Sequence, residues 1–164
     1  MFNDEYFLRV AIQLAKEARV NGEDPFGAVL VYNNKIVHSS CDKTIILSDP
    51  TSHAELNVIS EYCRMNNFIS LKGYSLYSST EPCSLCSGAI KASKISKVVF
   101  SLPQKEYQQM KKKLKRLTCE EIVNQDYKRV DIIGPLLIDE GIEVFKDYKF
   151  QSKEIMHHQK HSKS

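Results

Sequence analysis

The chain has 164 residues, of which 42% are hydrophobic and 26% charged, so its size and composition fit one soluble globular domain. No apolar stretch approaches the roughly 20 residues of a membrane span, and the acidic segment 1–5 is unlike a signal peptide, which predicts a cytoplasmic protein. A formal net charge of +3 is too small to indicate nucleic-acid binding by itself. Five cysteines in such a chain favour metal binding over a disulfide framework.

Hydrophobic periodicity predicts strands that alternate with helices. Residues 4–20 carry apolar side chains at helical spacing, and residues 28–32 and 36–39 read as a hairpin. The further predicted elements are a helix from Pro50 to about Asn66, a strand over 74–78, a helix from Pro82 to about Ser93, a strand over 98–102, a basic helix over 104–117 and a last helix over 138–148. This order predicts an α/β fold in which helices cover both faces of a mixed sheet.

Three residues of metal-ligating type stand at a spacing that indicates a zinc site. Cys83 and Cys86 are three apart at the start of a predicted helix, so their thiols share one helix face. With the imidazole of His53 they make three protein ligands, which leaves the fourth tetrahedral position open for water, as in catalytic zinc sites. Glu55 lies in the first turn of its helix, two residues after His53, and is expected to accept a proton from that water.

Each half of this pattern is weak alone, since a lone Cys-x-x-Cys also occurs in redox pairs and structural zinc knuckles. Together the halves match the H-x-E…P-C-x-x-C signature of zinc deaminases. Segments 49–55 (DPTSHAE) and 80–90 (TEPCSLCSGAI) closely resemble the zinc-site motifs of bacterial guanine deaminases and tRNA adenosine deaminases, two branches of the cytidine/deoxycytidylate deaminase superfamily. The resemblance covers the chain from about Tyr6 to Tyr148.

The resemblance implies a fold, a cofactor and an assembly. The fold is a three-layer α/β/α sandwich with a central mixed five-stranded sheet, built as a single deaminase domain over residues 1–150 and followed by a polar tail over 151–164. One Zn²⁺ per subunit is held by His53, Cys83 and Cys86, with Glu55 as the proton shuttle. Members of these branches usually form homodimers, so a homodimer is expected.

Two segments bear on the choice of branch. Segment 25–29 (PFGAV) resembles the guanine deaminase version of the first strand, and Phe26 then either stacks on the base or packs in the core. Segment 101–105 (SLPQK) lacks the Gly-Ala and Asp-x-Lys that the tRNA enzymes usually carry. We therefore expect a small purine-like nucleobase as substrate, guanine or a related aminopurine. The basic run at 111–116 keeps a tRNA-specific adenosine-to-inosine deaminase as the alternative, although such runs are usually solvated helix faces.

Further substrate contacts are implied by the resemblance. Asp42 stands eleven residues before His53, where the family pattern has a base-binding Asn. An Asn both donates and accepts hydrogen bonds, whereas an ionised Asp only accepts, so Asp42 favours a base edge rich in N–H groups unless burial protonates it. Backbone groups at Ala54 and around Thr80 are expected to hold the base and the leaving group.

The predicted reaction is hydrolysis of an amino group on a heteroaromatic ring, with release of ammonia. An alternative of another class is a catalytically silent deaminase-fold module that binds RNA or a partner protein, but such a module has no need of Glu55. A purely structural zinc module requires a fourth protein ligand, and no further cysteine has motif spacing to the pair. The histidines of the tail, His157, His158 and His161, are expected to bind metal only adventitiously.

Overall fold

A computed structural model describes residues 2–110, 117–126 and 129–150. The basic run at 111–116 and the polar tail from residue 151, with its three histidines, therefore lie outside the described residues. Within the described part of the chain, no helix is both long enough and apolar enough to cross a membrane.

Five strands form one mixed sheet, as predicted. In chain order the elements are α1 (Phe2–Val20), β1 (Gly27–Tyr32), β2 (Lys35–Cys41), α2 (Ala54–Asn66), β3 (Ser75–Thr80), α3 (Ser84–Ser93), β4 (Lys97–Leu102), α4 (Gln104–Met110), α5 (Cys119–Val123), β5 (Asp131–Ile133) and α6 (Ile138–Glu143). The strand order is β2-β1-β3-β4-β5. Strand β1 pairs antiparallel with β2 and β3, whereas β3, β4 and β5 run parallel.

Helices cover both faces of the sheet, which confirms the three-layer sandwich. Side chains of α1 pack on Val29 and Tyr77 in one apolar cluster, together with Val144 and Phe145 from the C-terminal segment. Side chains of α2 and α3 pack on Leu30 in a second cluster on the opposite face. The alternation follows from the two-residue period of a strand, which sends successive side chains to opposite faces.

Gly27, the first residue of β1, lets α1 approach the sheet closely. A Cβ at this position would meet the carbonyl oxygen of Ala11 and would lie 2.7 Å from the backbone nitrogen of Ala15. Both atoms belong to backbone, which cannot move aside as a side chain can. The close contact between α1 and the start of β1 therefore depends on glycine.

The structure corrects several predicted boundaries. The helices predicted from Pro50 and Pro82 begin at Ala54 and Ser84, because the intervening residues are extended or in turns. The last helix ends at Glu143 rather than at residue 148, and Asp147 has a left-handed backbone that ends the following turns. Elements α5 and β5 were not located from sequence, since segments of five and three residues are too short to show a period.

Candidate active site

The N-termini of α2 and α3 meet at one end of the strands. His53 and Cys83 are the N-cap residues of α2 and α3, and both have an extended backbone. Neither side chain makes a capping hydrogen bond to its own helix. Cys86 joins them from the first turn of α3.

The three candidate ligands form a compact triangle. The sulfur atoms of Cys83 and Cys86 are 3.7 Å apart, and each lies 3.5 Å from Nδ1 of His53. A tetrahedral zinc ion with ordinary bond lengths separates two sulfurs by about 3.8 Å and a sulfur from a nitrogen by about 3.6 Å. The donor set and its spacing thus fit zinc, with Nδ1 as the histidine ligand.

Within the described residues, no fourth cysteine or histidine joins this group. Cys119 is buried, while Cys41 and Cys63 are half-buried. A three-ligand site leaves one coordination position for water or substrate, which is the arrangement of a catalytic rather than a structural zinc.

The electrostatics of the triangle favour a thiolate. A hydrogen bond from the Cys86 thiol, helped by His53, lowers the pKa of Cys83 to about 3 against the opposing effect of burial. The same Cys83 sulfur raises the pKa of His53, which the negative charges of Glu55 and Asp42 raise further. The interaction with Cys83 and burial together raise the pKa of Cys86. These interactions favour the thiolate form of Cys83, which is the form that binds zinc.

Glu55 lies beside the ligands, as predicted. Its side chain is only 4% exposed, and Oε2 is 3.4 Å from the Cys86 sulfur. The hydroxyl of Ser78 donates a 2.9 Å hydrogen bond to Oε1, which fixes the carboxylate. Burial, reinforced by the negative charge at Cys83, raises the pKa of Glu55. A buried carboxyl of raised pKa is suited to exchanging protons near neutral pH.

Two polar side chains that the sequence did not indicate fix the loop before His53. Nδ2 of Asn57 donates to the carbonyl oxygens of Cys41 and Ser52, at 3.0 and 3.1 Å. The Ser52 hydroxyl donates in turn to Oδ1 of Asn57 at 2.9 Å. The end of β2 and the residue before His53 are thus both tied to the first turns of α2.

Glu81 is a further residue that the sequence did not indicate. Its carboxylate is buried and accepts the backbone N–H of Gln104 at 2.9 Å and that of Cys119 at 2.9 Å. These are the first residues of α4 and α5, so one side chain satisfies an N–H at the start of each helix. Because Pro82 and Cys83 follow directly, Glu81 connects both helices to the zinc-binding loop.

The four predicted substrate contacts lie at this same end of the strands. Ala54 and Thr80 are buried, at the first position of α2 and the last of β3. Asp42 is 2% exposed and follows β2 directly. Phe26 packs against aromatic rings, with centroid distances of 5.8 Å to Tyr107, 5.8 Å to Phe145 and 6.3 Å to Phe150. The packing role considered for Phe26 is therefore present.

The α/β/α fold, the three-ligand triangle and the adjacent buried carboxylate define a zinc-dependent hydrolytic deaminase. A family model of the cytidine and deoxycytidylate deaminase zinc-binding region matches residues 1–102, which contain every residue of this constellation. The chain therefore belongs to the cytidine and deoxycytidylate deaminase family, and zinc is its cofactor.

Relatives within the family include tRNA-specific adenosine deaminases. The chain is 32% identical over 155 residues to one from Buchnera aphidicola subsp. Baizongia pistaciae, covering 93% of this chain and 92% of that protein. It is 44% identical over 103 residues to another from Aquifex aeolicus, covering 63% of this chain and 68% of that protein. A solved structure from work on A-to-I editing by tRNA:A34 deaminases superposes with a TM-score of 0.70 at 26% identity, covering 85% of this chain and 99% of that one.

These relatives show that the expectation of a guanine-type nucleobase deaminase was wrong. The guanine deaminase of Bacillus subtilis superposes with a TM-score of 0.62 at 23% identity over 91% of this chain and 97% of that one, a likeness that shows the fold alone. Segment 25–29 misled because Phe26 is explained by its aromatic neighbours, without a bound base. Identity over nearly the whole chain outweighs both that short motif and the atypical segment 101–105.

Proposed function

We propose that this protein deaminates an adenosine of a tRNA to inosine, with release of ammonia. The chemistry is carried by one observation, the buried Glu55 carboxylate beside the triangle of His53, Cys83 and Cys86. The substrate is supported by the similarity to tRNA-specific adenosine deaminases along nearly the full length of the chain. The wobble adenosine is the proposed target, since A-to-I editing at that position is the subject of the similar solved structure.

In the proposed mechanism Glu55 moves the protons. Zinc held by His53, Cys83 and Cys86 would supply the acidity that brings the pKa of a bound water to about 7. The Glu55 carboxylate takes one proton from the attacking water as its oxygen bonds to C6 of the adenine ring, and delivers that proton to N1. Glu55 then takes the second proton of the same oxygen and passes it to the leaving amine, so that the C6–N bond breaks, ammonia leaves and the C6 carbonyl of inosine forms. Ser78 holds Oε1, so Oε2 is the oxygen that faces the ligands and exchanges the proton.

The pocket residues restrict where the base can lie. Backbone groups at Ala54 and Thr80, which flank the zinc ligands, are proposed to bind the base and the leaving group. Tyr107 lies close to the zinc ligands, since after burial the negative charges of Cys83 and Glu55 raise its pKa. Flipping the target base out of an RNA loop and stacking it against an aromatic or apolar side chain is the usual route to deamination in RNA.

The assembly and location stay predictions from the family resemblance and the substrate. A homodimer is the expected assembly. The cytoplasm, where tRNA acts in translation, is the expected location.

The test is inosine formation in a tRNA transcript with adenosine at the wobble position. Zinc-loaded protein should convert this adenosine, and Glu55→Gln should retain zinc but lose activity by about 10²–10⁴-fold, the usual contribution of a general acid–base group. Inosine is measured by mass spectrometry after nuclease digestion, and zinc by atomic absorption. Glu17→Gln, an exposed change on α1, is the matched control and should be fully active.

Free guanine, adenine and cytosine complete the substrate panel. Turnover of a free base with no conversion of the transcript would contradict the tRNA assignment but leave the deaminase chemistry standing. Wild-type activity in Glu55→Gln would contradict the mechanism itself.

A further inference from the structure

In the folded protein, Asp42 lies between the start of β1 and His53, the first zinc ligand in the chain. Its backbone N–H donates to the carbonyl oxygen of Phe26 at 3.0 Å, and the N–H of Lys43 donates to the carbonyl oxygen of Ser52 at 3.0 Å. Ser52 directly precedes His53. The Asp42 side chain is 2% exposed, and burial raises the pKa of its carboxyl against the opposing effect of two hydrogen bonds from Thr44. The contact to the residue before His53 places Asp42 in the surroundings of the zinc site.

Thr44 fixes the Asp42 carboxylate in one orientation. Oδ1 accepts the Thr44 backbone N–H at 3.0 Å and the Thr44 hydroxyl at 2.7 Å. None of the described residues donates a hydrogen bond to Oδ2. Among the described residues, Ser40 Oγ is the only fully buried side-chain polar atom without a partner, so Oδ2 still reaches accessible space. Asp42 thus presents one oxygen to an opening, and that oxygen is unpaired.

The identity of the residue decides what that opening can bind. An asparagine at this position would place its carbonyl oxygen on the two Thr44 donors and its NH₂ group where Oδ2 lies. Asp42 therefore replaces a hydrogen-bond donor by an acceptor at the same point in space. Oδ2 of the ionised carboxylate only accepts hydrogen bonds, so a ligand that displaces water from this oxygen has to supply an N–H or O–H group in its place.

An adenosine within RNA has few groups of this kind. The exocyclic amine is the only donor on its base edges, and it must lie at the zinc centre beside Glu55 to be hydrolysed. N1, N3 and N7 are acceptors, and the 3′ and 5′ oxygens are esterified. The ribose 2′-hydroxyl is the only donor that remains, and it is also the group by which proteins distinguish RNA from DNA.

We propose that Oδ2 of Asp42 accepts a hydrogen bond from the 2′-hydroxyl of the target adenosine, so that Asp42 makes the enzyme select ribose. This inference rests on the proposed function, because the elimination of other donors assumes an adenosine in RNA. Carboxylates recognise ribose hydroxyls in the same way in dinucleotide-binding folds.

The test compares two anticodon stem-loop RNAs that differ only in the 2′ substituent of the target adenosine. In the first the target adenosine carries its 2′-hydroxyl, and in the second it carries 2′-fluorine, which cannot donate but keeps an RNA-like sugar pucker. Wild-type protein should show kcat/KM at least about tenfold lower on the fluoro RNA, the effect of losing a hydrogen bond to a charged group. Asp42→Asn should reduce this difference to less than about threefold. The NH₂ group that replaces Oδ2 cannot accept a hydrogen bond, so the 2′-hydroxyl no longer has an advantage over fluorine.

Asp49→Asn is a matched control within the same loop. Oδ1 of Asp49 accepts the N–H and the hydroxyl of Thr51 at 2.8 and 2.7 Å, which repeats the arrangement of Asp42 and Thr44 at the protein surface. This variant should keep the full wild-type difference between the two RNAs. Zinc content and thermal unfolding of both variants confirm that they fold.

Each outcome has one meaning. Equal rates of wild-type protein on the two RNAs overturn the role of Asp42, and this comparison needs no variant. A full difference retained by folded Asp42→Asn overturns it as well. If wild-type protein converts neither RNA but deaminates a free base, the proposed function fails and the inference fails with it.

Discussion

At the scale of single residues, the metal-binding triangle and the glutamate beside it could be located from sequence. Coordination requires particular side chains at particular local spacings, so His53, Cys83 and Cys86 were recognisable without a fold. The residues that orient them were not, because each reaches its partner across a long stretch of sequence. Ser78 and Glu55 are 23 residues apart, and nothing near either one predicts that they meet.

Ser78 should act as a positioning residue for Glu55. Ser78→Ala removes the hydroxyl that fixes Oε1, so we expect kcat to fall about 3–30-fold while zinc content and KM change little. Ser78→Thr, which restores a hydroxyl, should recover most of the rate. Single-turnover kinetics of the three proteins on a tRNA transcript measures the effect, and an alanine variant with wild-type kcat would remove Ser78 from the mechanism.

At the scale of elements, the helices and strands near the site were predicted, but two helix starts were placed too early. Proline at the first helical position is favoured in general, and Pro50 and Pro82 suggested helix starts at those positions. Here the residues after each proline continue as a turn or an extended segment, and the ligands His53 and Cys83 become the N-caps. The metal site thus depends on a boundary that propensity alone does not determine.

Asp4 fastens the first turn of α1 to the sheet. Oδ1 of Asp4 accepts from the Tyr77 hydroxyl at 2.6 Å and from Nζ of Lys97 at 2.6 Å. Burial acts to raise the pKa of this carboxyl, but the hydrogen bonds from Lys97 and Tyr77 outweigh it and lower the pKa below its usual value. The interaction joins α1 to both β3 and β4.

Asp4→Asn should therefore lower the free energy of unfolding by about 1 kcal/mol at pH 7, since the amide keeps an acceptor but loses the charge. Because the folded-state pKa is depressed, the wild-type advantage is present above the unfolded pKa of about 3.9 and disappears as the pH falls through the folded value. Urea unfolding from pH 7 to pH 2.5 measures it. Glu5→Gln, a half-exposed neighbour, should show a smaller effect, and a difference that persists at the lowest pH would contradict this origin.

At the scale of the whole molecule, the sequence predicted the layered architecture but the wrong branch of the family. A short motif around Phe26 favoured guanine, whereas similarity over the full chain favours tRNA. The error has a physical cause, because an aromatic side chain at a strand start serves core packing as well as base stacking. Only the contacts around Phe26 show that packing accounts for it.

The basic run at 111–116 should contribute to tRNA binding by neutralising phosphate groups. It holds five of the 23 Lys and Arg residues, namely Lys111, Lys112, Lys113, Lys115 and Arg116. Replacing all five by Gln should weaken tRNA binding and flatten the plot of log Kd against log salt by about 0.7–0.9 for each phosphate that is no longer neutralised.

Filter binding between about 50 and 300 mM salt, the range over which such electrostatic binding weakens steeply, measures this slope. Replacing Lys16 and Lys72, which are exposed on other parts of the protein, should change it much less. An unchanged slope in the five-residue variant would show that the run has no role in tRNA binding.

The sequence by itself determined the metal and its ligands through spacing that coordination chemistry requires, and it determined the reaction class through the resemblance of that motif to those of zinc deaminases. Periods of two and 3.6 residues in the apolar side chains predicted helices on both faces of a mixed sheet, and the resemblance supplied the five strands. The tertiary structure decided which groups orient the side chains of the site. The Ser78 hydroxyl orients Glu55, the Glu81 carboxylate binds an N–H group at two helix starts, and Thr44 orients Asp42. These contacts depend on which side chains the fold brings within hydrogen-bonding distance, and on which atom of each remains unpaired.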